Sequence, residues 1–131
     1  MTWPHLVQQV RDFGRYDTDQ EAERVLEAVL TALGRQLVGD ERCDLAATLP
    51  DRARALLVSQ IPLAQPVDAP AFVAAVATAL DTTLASARWD ASSVLAVLAD
   101  LAGDRLTDRL TARLPVGYAF LFGRANLTVA A

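Results

Sequence analysis

The chain contains no lysine; all twelve of its basic residues are arginine. Schiff-base catalysis and lysine phosphate clamps are therefore excluded. Cys43 is the only cysteine, so one chain forms neither an internal disulfide nor a thiolate metal centre. His5 is the only histidine, which leaves almost no material for a Ser-His-Asp triad or a multi-histidine metal site. No Glu-x-x-His pair of the kind that holds two metals in helical bundles occurs. No catalytic, metal or cofactor-binding residue is assigned, and no cofactor is expected.

Excess positive charge is also missing. The formal net charge is −4, whereas nucleic-acid binding draws most of its affinity from neutralising phosphates. Nucleic acid is not an expected partner. Met1 to His5 shows no basic region followed by an apolar run, as a secretory signal would. The longest low-charge stretch, Ile61 to Leu80, is broken by Pro62, Pro66 and Pro70 and contains Asp68, so it is not read as a membrane span. The expected location is the cytoplasm.

What is present is helical periodicity. Apolar residues make up 53% of 131 residues, with alanine and leucine dominant and aromatics only 6%. A chain of this length buries roughly two-thirds of its unfolded surface, enough for a core without cross-links. Ala22, Val25, Leu26, Val29, Leu33 and Leu37 are spaced by threes and fours, one buried stripe on a long helix. Thr18-Asp19-Gln20-Glu21 is a capping box that starts it, and Gly39 marks its end. Asp40 is expected to cap a short helix running to Leu49-Pro50, and Pro50 to lead another through about Val58.

The second half repeats this plan. Val94, Leu95, Val97, Leu98 and Leu101 form the stripe, with Asp90 near its start. Gly103-Asp104 matches Gly39-Asp40, and Leu114-Pro115 matches Leu49-Pro50. Leu6, Val7 and Val10 lead the first long helix; Phe72, Val73, Val76 and Leu80 lead the second. The expected fold is all-α, a single helical bundle over 1–131 built from two tandem, sequence-related multi-helix halves at about 5–58 and 70–123. Three prolines make 59–70 an extended connector, and 124–131 is an apolar C-terminal tail that docks in cis or in trans.

The runs Glu21-Ala22, Val25-Leu26, Leu33-Gly34, Leu37, Gly39-Asp40-Glu41, Leu45-Ala46-Ala47 and Leu49-Pro50 resemble a bacterial all-helical family catalogued as domain of unknown function 2267. Val94-Leu95 through Leu114-Pro115, Tyr118 and Leu121-Phe122 resemble its second half, and the similarity spans roughly residues 5–123. Family sequences often carry Ala-Gln-Leu-Pro where this chain has Ala47-Thr48-Leu49-Pro50 and Ala112-Arg113-Leu114-Pro115. The resemblance implies a duplicated helical fold and carries no catalytic residues.

Two local features suggest an interaction surface. Asp104-Arg105-Leu106-Thr107, Asp108-Arg109-Leu110-Thr111 and Ala112-Arg113-Leu114-Pro115 repeat in register. On a helix, four-residue steps keep Leu106, Leu110 and Leu114 in one stripe and Arg105, Arg109 and Arg113 in another, drifting about 40° per step. The arginine ridge is solvated, or it docks an acidic partner surface or phosphate groups. The second feature is the cluster Tyr118, Phe120, Leu121 and Phe122, in which Tyr118 and Leu121 or Phe122 share a face and Phe120 points elsewhere. Exposed aromatics anchor interfaces, so Arg105, Arg109, Arg113, Tyr118, Phe120 and Phe122 form the candidate surface.

Cys43 is expected to be a buried structural thiol, His5 a solvated terminal residue, and Trp3 and Trp89 staples or lids at helix ends. The leading functional expectation is a non-enzymatic protein-interaction or self-assembly module, a homo-oligomer or the receiver of a protein partner. The rival is a small-molecule-binding, even catalytic, bundle whose pocket between the halves is lined by Tyr118, Trp89 and a desolvated aspartate.

Overall fold

The periodicity is realised as helix throughout. The computed structural model describes residues 1–124, and these form eight helices and no strand. In chain order they are α1 (Trp3–Gly14), α2 (Asp19–Gly34), α3 (Gly39–Ala47), α4 (Asp51–Val58), α5 (Ala69–Leu80), α6 (Leu84–Ala102), α7 (Asp104–Arg113) and α8 (Tyr118–Leu121). Beyond Arg124, the tail expected to dock in cis or in trans lies outside the described residues.

Side-chain caps set four of the eight helix starts. Hydroxyls of Thr2, Thr18 and Thr83 accept the backbone N–H of His5, Glu21 and Ser86, and the Asp68 carboxylate accepts that of Ala71. Each satisfies an orphan donor of a first helical turn. Two expectations about starts are corrected. Asp40 does not cap α3, because the helix has already begun at Gly39 and Val38 holds the cap position without a side-chain bond. Asp90 does not lie near the start of α6, which begins at Leu84 under Thr83 and places Asp90 well inside the helix. Pro70 also departs from the expected connector. It sits in the first turn of α5, where its missing N–H leaves no bond unmade.

α2 ends at Gly34 rather than running to Gly39, yet Leu37 remains buried. The turn after α2 lets Leu37 reach the core without helical continuity. The connector is sewn to this turn. The Leu63 N–H donates to the Arg35 carbonyl at 2.8 Å, and the Val67 N–H to the Gln36 side-chain oxygen at 2.8 Å.

α2 and α6 are the central pair. α2 packs on α1, α4, α5 and α6, while α6 packs on α1, α2, α5, α7 and α8. Their apolar faces fill one continuous core that runs from Leu6 to Phe122. No helix among the described residues is long and apolar enough to cross a membrane alone. α5 and α6 together have the length and composition, but they meet at 103°.

Cys43 is exposed, not buried as expected. Glu41, Leu45 and Ala46 turn inward from α3, and Cys43, two residues before Leu45, falls on the opposite face.

Candidate functional site

The arginine stripe is largely engaged within the chain. α7 lies against α3, and Arg109 Nη2 reaches Glu41 Oε2 at 3.2 Å and Asp44 Oδ2 at 2.8 Å. Arg113 Nε lies 3.3 Å from Glu41 Oε1. The hydrogen bonds that Arg109 donates, to Asp44 first and Glu41 second, hold its guanidinium above its ordinary pKa. Glu41 is buried, so these arginines compensate a charge that would otherwise be stranded. Arg105 is exposed and makes no ion pair among the described residues. Arg109 and Arg113 thus tie α7 to α3, although Arg113 remains exposed, and Arg105 takes no part.

The aromatic cluster divides by helical phase. Tyr118 and Phe122 are buried, whereas Phe120 is 59% exposed. The Tyr118 ring packs against Phe72 with centroids 5.3 Å apart and a 54° tilt. Its hydroxyl donates to the Val67 carbonyl at 2.9 Å. Burial first, and the charge of Asp68 second, push the Tyr118 phenol above its ordinary range. This tyrosine is an internal strut joining α5, α8 and the connector.

Phe120 stands at the edge of an apolar groove of about 460 Å3 formed by α5, α6 and α8. Pro70, Val73, Leu84, Arg88 and Leu121 also line it. Leu84 is 62% exposed, and Val116, beside the lining Gly117, is exposed as well. Nothing in the sequence pattern alone brings Pro70 and Val73 to Phe120; the join is tertiary.

A second opening lies between the start of α6 and the turn after α1. Tyr16, Glu21, Thr82, Ser86, Trp89 and Asp90 line this cleft of about 440 Å3. Tyr16 Oη donates to Asp90 Oδ1 at 2.6 Å, and Trp89 Nε1 donates to the Gly14 carbonyl at 3.0 Å. Trp89 therefore does cover a helix end, the C-terminus of α1. Trp3 instead bonds Glu23 at 2.6 Å and stacks under the Arg52 guanidinium. The expected trio of Tyr118, Trp89 and a desolvated aspartate is corrected in one member. Trp89 and Asp90 share the cleft with Tyr16, while Tyr118 is sealed against Phe72. Tyr16 was invisible as a partner because 74 residues separate it from Asp90.

Burial is the main cause that lifts the Asp90 carboxyl above its ordinary value of 3.8; the Tyr16 bond opposes this and the charge of Glu21 adds to it. Burial and the Asp90 contact raise the Tyr16 phenol in turn. A carboxyl raised in the folded state contributes stability that is fully present below its unfolded value and is lost as pH rises through the folded value. Asp90→Asn escapes that loss. Its melting temperature relative to the parent is expected to climb as pH rises above the ordinary carboxyl value of 3.8. A pH-independent difference would show that Asp90 is not desolvated in the native state.

Among the described residues, no group of three or more His, Cys, Asp or Glu side chains is placed to hold a metal ion. No curated protein matches the sequence. A family profile does match, over residues 3–121, nearly the whole chain and both openings. On that match the chain belongs to the family described as Uncharacterized conserved protein (DUF2267).

Proposed function

We propose that the protein is a non-enzymatic interaction module that self-associates through the groove beside Phe120. The observation that carries this reading is the exposure of Phe120 and Leu84 over an apolar recess in the same patch. A two-fold interface needs one surface to contain both knob and hole. Here Phe120 is the knob, and the recess between Pro70, Val73 and Leu84 is the hole. Arg88 supplies a charged rim, as interface edges do.

The same reading takes the chain as two tandem copies of one four-helix plan. Helices α1–α4 and α5–α8 contain 12, 16, 9 and 8 residues against 12, 19, 10 and 4. Gly39 and Gly103 open the third helix of each copy with φ of +68° and +86°, a conformation that favours glycine. Leu49-Pro50 and Leu114-Pro115 precede the fourth. α8 has half the length of α4, and among the described residues part of the α5–α6 face beside it stays open as the apolar groove. A second copy of the chain supplies the missing cover.

Light scattering over a concentration series is expected to give twice the 14.1 kDa chain mass. Phe120→Asp, at an exposed position that leaves the fold intact, is expected to weaken association about thirtyfold, the effect of a hot spot worth ~2 kcal/mol. A parent that is monomeric throughout, or a Phe120→Asp variant that assembles like the parent, overturns the reading. Reversal of Arg109 and Arg113 is no clean probe of docking, because it sets new carboxylates against Glu41 and Asp44 within the chain.

A further inference from the structure

The cleft between α1 and α6 has a chemistry distinct from that of the apolar groove. Its inner wall is the Asp90 carboxylate, only 8% exposed. Among the described residues, the Tyr16 hydroxyl is the one hydrogen-bond donor to that carboxylate. Glu21 places a second carboxylate at the rim, and no arginine lines the opening. Arg11 holds Asp19 and the carbonyls of Tyr16 and Asp17, and Arg24 reaches the Leu80 carbonyl. Arg88 lines the other groove and Arg15 is exposed in the turn after α1; neither lines this cleft. A buried carboxylate without a counter-charge is unfavourable, and a cation brought beside it relieves that penalty.

The walls suit an organic rather than an inorganic cation. Trp89 is 51% exposed and presents an aromatic surface beside the two carboxylates. Indole faces attract ammonium and guanidinium groups and also cover their carbon chains. Two carboxylates, one of them already bonded by Tyr16, do not make the oxygen cage that calcium or magnesium requires. The N-terminal turns of α2 and α6 open near the rim and favour an anion. Each already has an acceptor, Thr18 on the Glu21 N–H and Thr83 on the Ser86 N–H.

We propose that this cleft binds an organic cation, an alkylguanidinium or alkylammonium group whose charge is received by Asp90 and Glu21 and whose carbon chain lies on Trp89. The group belongs to a free small molecule or to a side chain of a protein partner; both present the same chemistry to the cleft. The proposal is independent of self-association, because it uses a different opening.

The test follows Trp89 fluorescence in a Trp3→Phe background, since Trp3 lies against Glu23 and Arg52 and not in the cleft. The probe is n-butylguanidinium, and the control is its neutral analogue n-butylurea. The guanidinium is expected to give a saturable change at millimolar concentration or below, with the urea at least about tenfold weaker. Asp90→Asn retains an acceptor for Tyr16 and is expected to bind the probe about tenfold more weakly with an unchanged helical circular-dichroism signal. Glu21→Gln, at the exposed rim, lowers binding less. A short arginine-containing peptide separates the sources. Tighter binding than the free probe assigns the group to a partner protein, and equal binding assigns it to a small molecule. The proposal fails if no probe saturates, if butylurea matches butylguanidinium, or if Asp90→Asn binds like the parent.

Discussion

Replacing Phe72 by alanine is expected to remove about 3–5 kcal/mol of stability, the usual range for emptying a fully buried aromatic site. Phe72 has no exposed surface, and its ring is the partner of Tyr118. Through Tyr118 it also supports the bond to the Val67 carbonyl, so α5, α8 and the connector share one anchor. A domain with about 5–15 kcal/mol in total does not absorb such a loss quietly. The melting temperature should fall by roughly 10–20 °C, read by circular dichroism at a helical wavelength. Tyr118→Phe is the graded comparison. It removes only the hydroxyl, leaves the ring pair in place, and should cost about 1–2 kcal/mol for the orphaned carbonyl. If Phe72→Ala melts within a few degrees of the parent, α5 and α8 are not joined through these rings. The groove beside Phe120 would then lose its rigid floor.

This anchor shows what the sequence makes legible. The period of Phe72, Val73, Val76 and Leu80 places Phe72 on an apolar helix face, and Tyr118 falls on the same face as Leu121. Local signals suffice for that, because a helix is closed by bonds between near neighbours and its start is written in a threonine such as Thr18. They do not suffice where two local readings compete. Asp90 reads as lying near the start of its helix, yet Thr83 caps that helix seven residues earlier. Burial against α1 decides between them, and it then gives Asp90 a different task, the bond from Tyr16.

The arginine stripe of α7 is legible in its spacing and not in its partners. The spacing places Arg109 and Arg113 on one side of α7. It does not show that Glu41 and Asp44, more than sixty residues away, arrive on α3 to meet them. Phe120 differs because exposure follows from phase alone: with Tyr118 and Phe122 turned inward, the residue between them must point out. The recess beside it required α5 to cross the end of α6, which no local pattern records. The four-residue length of α8 is similarly silent, since Leu114-Pro115 precedes it as Leu49-Pro50 precedes the eight-residue α4.

Gly34→Ala sets two effects of opposite sign against each other. Gly34 closes α2, and alanine favours helix over glycine by about 1 kcal/mol, so propensity alone makes the substitution stabilising. The structure reverses that sign. A Cβ at this position would lie 2.2 Å from the Leu57 carbonyl oxygen and 3.2 Å from the Gln60 Cβ. The obstacle is backbone, not the end of a flexible side chain, so α4 must move away from α2. The same carbonyl accepts from Arg42 Nη2 at 3.2 Å, and that guanidinium group also holds the carbonyls of Val58 and Gln60. Displacing Leu57 therefore loosens the clamp that ends α4 and begins the connector. Overpacking costs about 1–3 kcal/mol when side chains give way, and more when backbone must. The net expectation is a loss of about 2–3 kcal/mol and a fall in melting temperature of roughly 5–15 °C. A Gly34→Ala protein that melts above the parent would mean that α2 and α4 do not touch at this point. The close approach of α2 to the end of α4 would then be wrong.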